Sequence, residues 1–261
     1  MIKQPANMKL KILMRKLRVA LTPRSWLLRT KLSNGALIYG KNRAGYGGRG
    51  IFIFRDSLEP EFQYLEDFLE PSGVFVDVGA STGIHTLKAA KHYSANGDGV
   101  VVALEPFPDV LATLHHNVQA NGFTNVRLRN FCAGDYTRPA KFWMNFNKPN
   151  SFSLFQRDQN ALCLSTLIVS LDDLFSWEGL DRLDYLKIDA EGAETEVLTG
   201  GRNTINKYRP IILVEVNIKE VSSMPKDYSV FRAPGSANQI CLPNESPKIG
   251  LPQKLGWSRQ G

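Results

Sequence analysis

Cysteine is scarce in this chain of 261 residues: Cys132, Cys163 and Cys241 stand far apart, with no C-x-x-C pair. An odd, dispersed set argues against both a disulfide framework and a thiolate zinc site, and a reducing cytosol is the compartment expected. Long apolar runs are missing too. No eighteen apolar residues follow one another, so no spanning helix is read. The N-terminal stretch is basic, but Arg15, Lys16 and Arg18 interrupt its apolar residues and no A-x-A-like site follows, so a secretory signal is not expected. Acid is absent from the first 55 residues, which hold 13 of the 32 Lys and Arg; the remainder carries 19 basic against 25 acidic residues. The net charge of +7 therefore belongs to a leader and not to the body. A basic arm on an acidic body suggests an attachment device more than a polyanion-binding cleft. No internal repeat is present. A hydrophobic content of 43% and a charged content of 22% fit one globular domain with appendages.

Within the leader, Leu10, Leu13, Met14, Leu17 and Leu21 recur at helical spacing while Lys9, Lys11, Arg15, Lys16 and Arg18 fall elsewhere around the helix. Ile12 and Val19 spoil the polar face, and Pro23 ends the pattern. Two readings stay open for residues 8–21: docking on an anionic membrane surface, or packing on the chain's own domain. Residues 40–50 hold five glycines and read as loop, and IFIF (51–54) reads as a short strand. A helix is predicted over Glu59 to Leu69, stopped by Pro71-Ser72-Gly73.

From there the pattern alternates. VFVDVGA (74–80) is a continuous apolar strand, followed by a helix over Ile84 to Tyr93, a strand GVVVALE (99–105), a helix over Asp109 to Ala120 and a strand over Val126 to Ala133. Strands that read as buried on both faces, alternating with helices, predict a mainly parallel sheet flanked by helices, an α/β, Rossmann-like core. The alternation lapses over 134–182, an excursion of short strands and a short helix that includes KFWMNF (141–146), LSTLIVS (164–170) and a turn-like Leu171-Asp172-Asp173-Leu174. It resumes with LDYLKID (183–189), a helix over Glu194 to Tyr208 and IILVEV (211–216). YSVF (228–231) and QICL (239–242) suggest a terminal hairpin. The predicted organisation is a basic arm over 1–50, a catalytic domain over 51–217 and an extension over 218–261.

The first strand runs into Val76-Asp77-Val78-Gly79-Ala80-Ser81-Thr82-Gly83, a tight turn that opens a helix. Gly79 lets the backbone approach a ligand, and Gly83 allows close helix-to-strand packing. The spacing is not G-x-G-x-x-G, which counts against a pyrophosphate ligand. Asp77 is placed to meet a cationic amino group, or else to cap the following helix. The second strand ends in Leu104-Glu105-Pro106, which holds out a carboxylate where a parallel sheet presents an acid to ribose hydroxyls; the plainer alternative is a solvated loop acid.

With these motifs in order, the chain resembles the FkbM family of S-adenosylmethionine-dependent methyltransferases. The resemblance rests on VDVGASTG (76–83), ALEPFP (103–108), SLDDLF (170–175), LKIDAEGAETEVLTGG (186–201) and VEVN (214–217), and spans about residues 50 to 217. It implies a class I methyltransferase fold, S-adenosylmethionine as cofactor, and O-methyl transfer, often to sugars of polysaccharides, glycolipids or other natural products. By the same resemblance Asp77, Gly79, Ala80, Ser81 and Gly83 belong to the methionine end, Glu105 and Pro106 to the ribose, and Phe131 to Asp135 to the adenine, with Asp135 as acceptor for its amino group or as a simple turn acid. Many members have Asn where this chain has Ser81.

Asp189 ends a strand predicted to lie beside the first, which aims its carboxylate at the transferred methyl. It is the expected base or acceptor anchor, with Glu191 next; Glu194 is expected to serve a helix dipole. Asp189, Glu215 and Asn217 would also supply oxygen ligands suited to magnesium, as in catechol-type O-methyltransferases. Of the four histidines, His85 could reach the cleft, whereas His92, His115 and His116 look like helix-surface residues. The acceptor expected is a glycan, glycolipid or small molecule, methylated in the cytosol or at the inner membrane face, with Trp143, Phe146 and Phe152 available to stack on a sugar ring. Nucleic acid is not expected, because Asp189-Ala190-Glu191-Gly192 stands where base-amino methylating enzymes carry [DNS]-P-P-[YFW], and two acids repel phosphate. The alternatives are that nucleic-acid enzyme and a non-catalytic, membrane-associated cofactor-binding module.

Overall fold

A computed structural model describes residues 6–43, 48–145, 148–153, 162–215 and 224–260; of residues 6–7, 144–145 and 148–153 it describes the backbone alone. In chain order the elements are α1 (Ala6–Leu21), β1 (Leu27–Lys31), β2 (Leu37–Lys41), α2 (Gly48–Phe54), α3 (Leu65–Phe68), β3 (Val74–Val78), α4 (Ile84–Asn96), β4 (Val100–Leu104), α5 (Pro108–Ala120), β5 (Val126–Arg129), β6 (Cys132–Gly134) and β7 (Arg138–Asn145). There follow β8 (Lys148–Ser153), β9 (Leu162–Ser170), α6 (Leu171–Glu178), β10 (Tyr185–Ile188), α7 (Glu194–Gly200), α8 (Arg202–Tyr208), β11 (Ile211–Val214), β12 (Tyr228–Arg232), β13 (Gln239–Pro243), α9 (Leu251–Lys254) and β14 (Ser258–Arg259).

The main sheet runs β14-β12-β13-β11-β10-β3-β4-β5. Its five strands from β11 to β5 are parallel, and β13, β12 and β14 extend it antiparallel. The continuous apolar strands follow from this layering. Phe75, Val101 and Tyr185 face a core shared with Leu87, Tyr93 and Leu114, while Val76, Val102 and Leu186 face the opposite core with Leu171, Val197 and Ile212. Each such fully buried side chain contributes about 1.5–3 kcal/mol. A second sheet, β6-β9-β7-β8, stands beside the first.

Several sequence expectations change. IFIF belongs to helix α2, since four apolar residues in a row suit a buried helical turn as well as a strand; Ile51 and Phe52 are both buried there. The strand predicted over 126–133 breaks at Asn130 and Phe131, giving β5 to the main sheet and β6 to the second. The turn-like Leu171–Leu174 is the first turn of α6, capped by Ser170, whose hydroxyl accepts from the Asp173 N–H at 3.1 Å. The helix expected over 194–208 divides into α7 and α8 at Gly201, where a Cβ would press on Leu171 at 2.7 Å. Between 59 and 69 the chain forms a 3-10 turn and the single turn α3.

The hairpin β12–β13 is integral to the sheet, with β13 paired to β11 and Ile240, Cys241 and Leu242 buried. At the other end, β2 is stitched to α5: Asn117 and Asn121 each exchange hydrogen bonds with its backbone, at Tyr39 and Leu37, with distances of 2.7–2.9 Å. Lys88 of α4, fully buried, gives its ammonium to Asp56 at 2.9 Å and to the Phe62 and Gln63 carbonyls at 3.0 and 3.3 Å, so it ties the segment before β3 to the core.

Candidate active site

The turn after β3 is shaped by what it touches. Gly79 has φ +72°, and a Cβ on it would lie 1.8 Å from the Asp189 carbonyl oxygen, so only glycine lets the ends of β3 and β10 meet. The Gly79 and Ala80 N–H groups both donate to the Leu104 carbonyl, at 3.0 and 2.9 Å. Ser81 also adopts a left-handed conformation, φ +52°, and its N–H donates to Glu105 Oε2 at 2.9 Å. Gly83 makes room for Leu114 of α5, whose Cδ1 would be 2.3 Å from a Cβ; the close packing it permits is helix against helix rather than helix against strand.

Glu105 is buried, not solvated: 4% of it is exposed. Its second oxygen accepts from the Phe107 N–H at 2.8 Å, so one carboxylate fixes both the turn after β3 and the loop after β4. Burial pushes its carboxyl up to about 7, against the opposing effect of these two backbone donors. Each oxygen retains a lone pair for a ligand hydroxyl.

A cavity of about 910 Å³ opens at the C-terminal ends of β3, β4 and β10 and continues under β7 and β9. Gly79, Ser81, Glu105, Pro106, Asp135, Asp189 and Glu191 line it; Asp77, Ala80 and Gly83 do not, and lie behind its wall. Asp77 is fully buried. It accepts from Thr86 Oγ1 at 2.6 Å, and its other oxygen lies 3.5 Å from Lys187 Nζ, so the cation it meets is a lysine of the neighbouring strand. Asp135 pairs with Arg138 at 2.6 Å, which together with its other hydrogen bonds holds its carboxyl below the usual range despite partial desolvation.

Lys187 organises the centre. Burial works against its charge, but Asp77, Asp189 and Glu59 together hold its ammonium protonated. It donates to the Gly79 carbonyl at 2.9 Å and reaches Asp189 Oδ2 at 3.4 Å. The pair forms through strand register, Lys187 of β10 standing opposite Asp77 of β3, which the sequence reading missed; a lysine inside an otherwise apolar strand is the one signal that could have pointed to it. Glu194 is not a dipole partner alone: its carboxylate accepts from the Ala190 and Gly192 N–H groups at 2.9 and 3.1 Å and sets the loop that carries Glu191, itself left-handed at φ +53°.

Asp189 also lines a second, smaller cavity of about 250 Å³, with Glu59, Lys187, Glu215 and Asn238. Burial pushes Glu59 up to about 7. His85 is enclosed beneath Phe62 with Nε2 3.5 Å from Glu59, and burial, with the Lys187 and Lys88 charges, keeps it neutral; it does not line either cavity. Glu59 and Asn238, about 180 residues apart in the chain, had no sequence signal.

Of the three magnesium ligands expected from the sequence, Asp189 and Glu215 are described and Asn217 is not. Among the described residues no three His, Cys, Asp or Glu side chains are grouped to hold a metal ion, and Asp189 faces the Lys187 ammonium. Asn217 and Phe146 lie outside the described residues, as does the side chain of Phe152; Trp143 lines the large cavity.

The sequence pattern of the methyltransferase FkbM domain matches residues 77–227. The 2-O-methyltransferase NoeI of Sinorhizobium fredii is 26% identical over 192 residues, covering 68% of this chain and 77% of that protein. The FkbM methyltransferase structure from Methylobacillus flagellatus superposes with a TM-score of 0.48 at 18% identity, over 74% of this chain and 52% of that one, so this chain matches about half its length. The putative methyltransferase yhhF of Escherichia coli gives a TM-score of 0.45 at 13% identity, over 82% and 97% of the two chains.

Proposed function

The chain belongs to the FkbM methyltransferase family, whose cofactor is S-adenosylmethionine, and from that premise we propose that it methylates a hydroxyl of a sugar, glycolipid or related natural product. The observation that carries this reading is the position of Asp189 on the wall of both cavities. The large cavity is of ligand size, and its wall combines a backbone turn closed to any side chain at Gly79 with a buried carboxylate at Glu105. A buried carboxylate acceptor beside a glycine turn suits a cofactor bearing a ribose. Bound there, S-adenosylmethionine supplies an electrophilic methyl group. Glu105 accepts from the ribose hydroxyls while holding the turn, and Asp135 stands at the adenine end.

Asp189 would accept a hydrogen bond from the acceptor hydroxyl and take its proton as that oxygen takes the methyl group, the sulfonium's S–CH3 bond breaking to leave neutral S-adenosylhomocysteine. Lys187 holds that carboxylate in place from 3.4 Å. Glu59, Glu215 and Asn238 offer oxygen and amide groups to further hydroxyls, which favours a polyhydroxylated acceptor over an apolar one. The Lys187 ammonium gives the Asp189 carboxylate a counter-charge from the protein itself, so activity measured with chelator should equal activity without it.

The test is calorimetric titration with S-adenosylhomocysteine, followed by turnover on a panel of sugar acceptors. Glu105→Ala should lose binding by about tenfold to a hundredfold, the worth of a charge-assisted hydrogen bond of about 1.5–3 kcal/mol. Asp189→Ala should bind normally and fail to turn over. Wild-type protein that is folded but does not bind would remove the reading.

A further inference from the structure

Helix α1 is mounted with its apolar side outward. Val19 is its one buried hydrophobic residue among those described, packed with Leu28 and Phe52. The rest of its attachment is polar: Arg15 donates to the Ile53 carbonyl at 2.9 Å, Arg18 lies over the Phe52 ring at 5.5 Å, and Asn42 donates to the Val19 and Thr22 carbonyls at 3.0 and 2.6 Å. The stripe of Leu10, Leu13, Met14, Leu17 and Leu21 is 58–77% exposed. Trp26, just past the helix, is 63% exposed, and Leu27 beside it 48%. A helix that merely covered its own domain would bury this stripe.

We infer that this face lies on an anionic bilayer, with α1 parallel to the surface, its leucines in the acyl boundary and its basic residues among the headgroups. Charge selects the occupant. Lys9, Lys11, Lys16 and Arg24 are exposed around the stripe, and no acid occurs in the first 55 residues, so the matching surface is negative. A second copy of the chain would bring the same positive charge to the same place. The stripe is the convex side of one helix rather than a groove for a peptide, and a deformable apolar medium fits it. Trp26 at its edge has the amphipathic ring favoured at a membrane interface. Among the described residues no helix is long and apolar enough to cross a membrane, so the contact is peripheral. The arm is coupled to the catalytic end of the molecule: Lys41 of β2 pairs with Asp109 at 3.7 Å, and the next residue, Val110, lines the large cavity.

The test is co-sedimentation of the full chain with phosphatidylcholine vesicles made with and without phosphatidylglycerol. The protein should pellet with the anionic vesicles, and less so as salt rises. Leu13→Glu/Leu17→Glu and, separately, Lys9→Glu/Lys11→Glu should each weaken binding by about tenfold or more. Because all four residues are exposed, circular dichroism melts of the variants should overlay the wild type. Failure to pellet, or equal binding to neutral vesicles, would overturn the inference. So would a dimer in sedimentation velocity that Leu13→Glu/Leu17→Glu dissolves while vesicle binding persists unchanged.

Discussion

Glu105 does two jobs whose pH dependence can be separated. Burial raises its carboxyl to about 7, above the ordinary glutamate value, so the stability owed to its neutral form is present below about 4.5 and lost as pH rises through 7. A ligand whose hydroxyls donate to the carboxylate favours the ionised form. Affinity for S-adenosylhomocysteine should therefore increase with pH up to about 7 and level off above it, falling by up to about tenfold per unit below. Glu105→Gln should flatten that profile. Glu59→Gln, although Glu59 also sits near 7, should leave the binding profile as it is, because Glu59 lines only the smaller cavity. A second residue-scale expectation concerns Lys88. Removing its partner with Asp56→Ala leaves a fully buried ammonium with two carbonyls and the Phe62 ring but no counter-charge, and urea unfolding should show a loss of about 3–5 kcal/mol.

Among the elements, those that could be read from sequence are the ones whose surroundings are the same on every side. β3, β4, β10 and β11 are buried on both faces, so apart from the paired Asp77 and Lys187 their runs are apolar, and the residues at their ends, Gly79, Glu105 and Asp189, inherit their places from the sheet. The same logic failed at IFIF, where a short apolar run carries no period, and at Asn130, where the chain changes sheets without a glycine or proline to mark it. The partner of Asp77 is not legible from its own motif, because Lys187 meets it only through the register of β10 against β3. Glu59 and Asn238 come together only because the hairpin β12–β13 closes the sheet. The orientation of α1 was likewise invisible: periodicity fixes which residues share a face, whereas the side that meets the body is decided by Arg15, Arg18 and Asn42. Its exposed leucines forgo about 1.5–3 kcal/mol each relative to burial.

For the whole molecule, the sheet does not end where the family's motifs do. β13 covers the edge of β11 and sends Cys241 and Leu242 into the core, so a chain cut after residue 223 would expose a central, apolar strand edge. Such a truncation should be recovered as aggregate, and size-exclusion chromatography of the soluble fraction should show no monomer peak. The order of strands has a consequence for biosynthesis as well. β3 pairs with β4 on one side and, on the other, with β10, whose Lys187 lies 110 residues beyond Asp77. As the chain leaves the ribosome, β3 must wait with an open edge and with Thr86 but not Lys187 beside its Asp77 carboxylate until more than two thirds of these 261 residues have been made. Over that interval the nascent half-sheet is a natural client for chaperones that hold extended apolar segments, and a pause in translation before Lys187 would be the costliest place to stall.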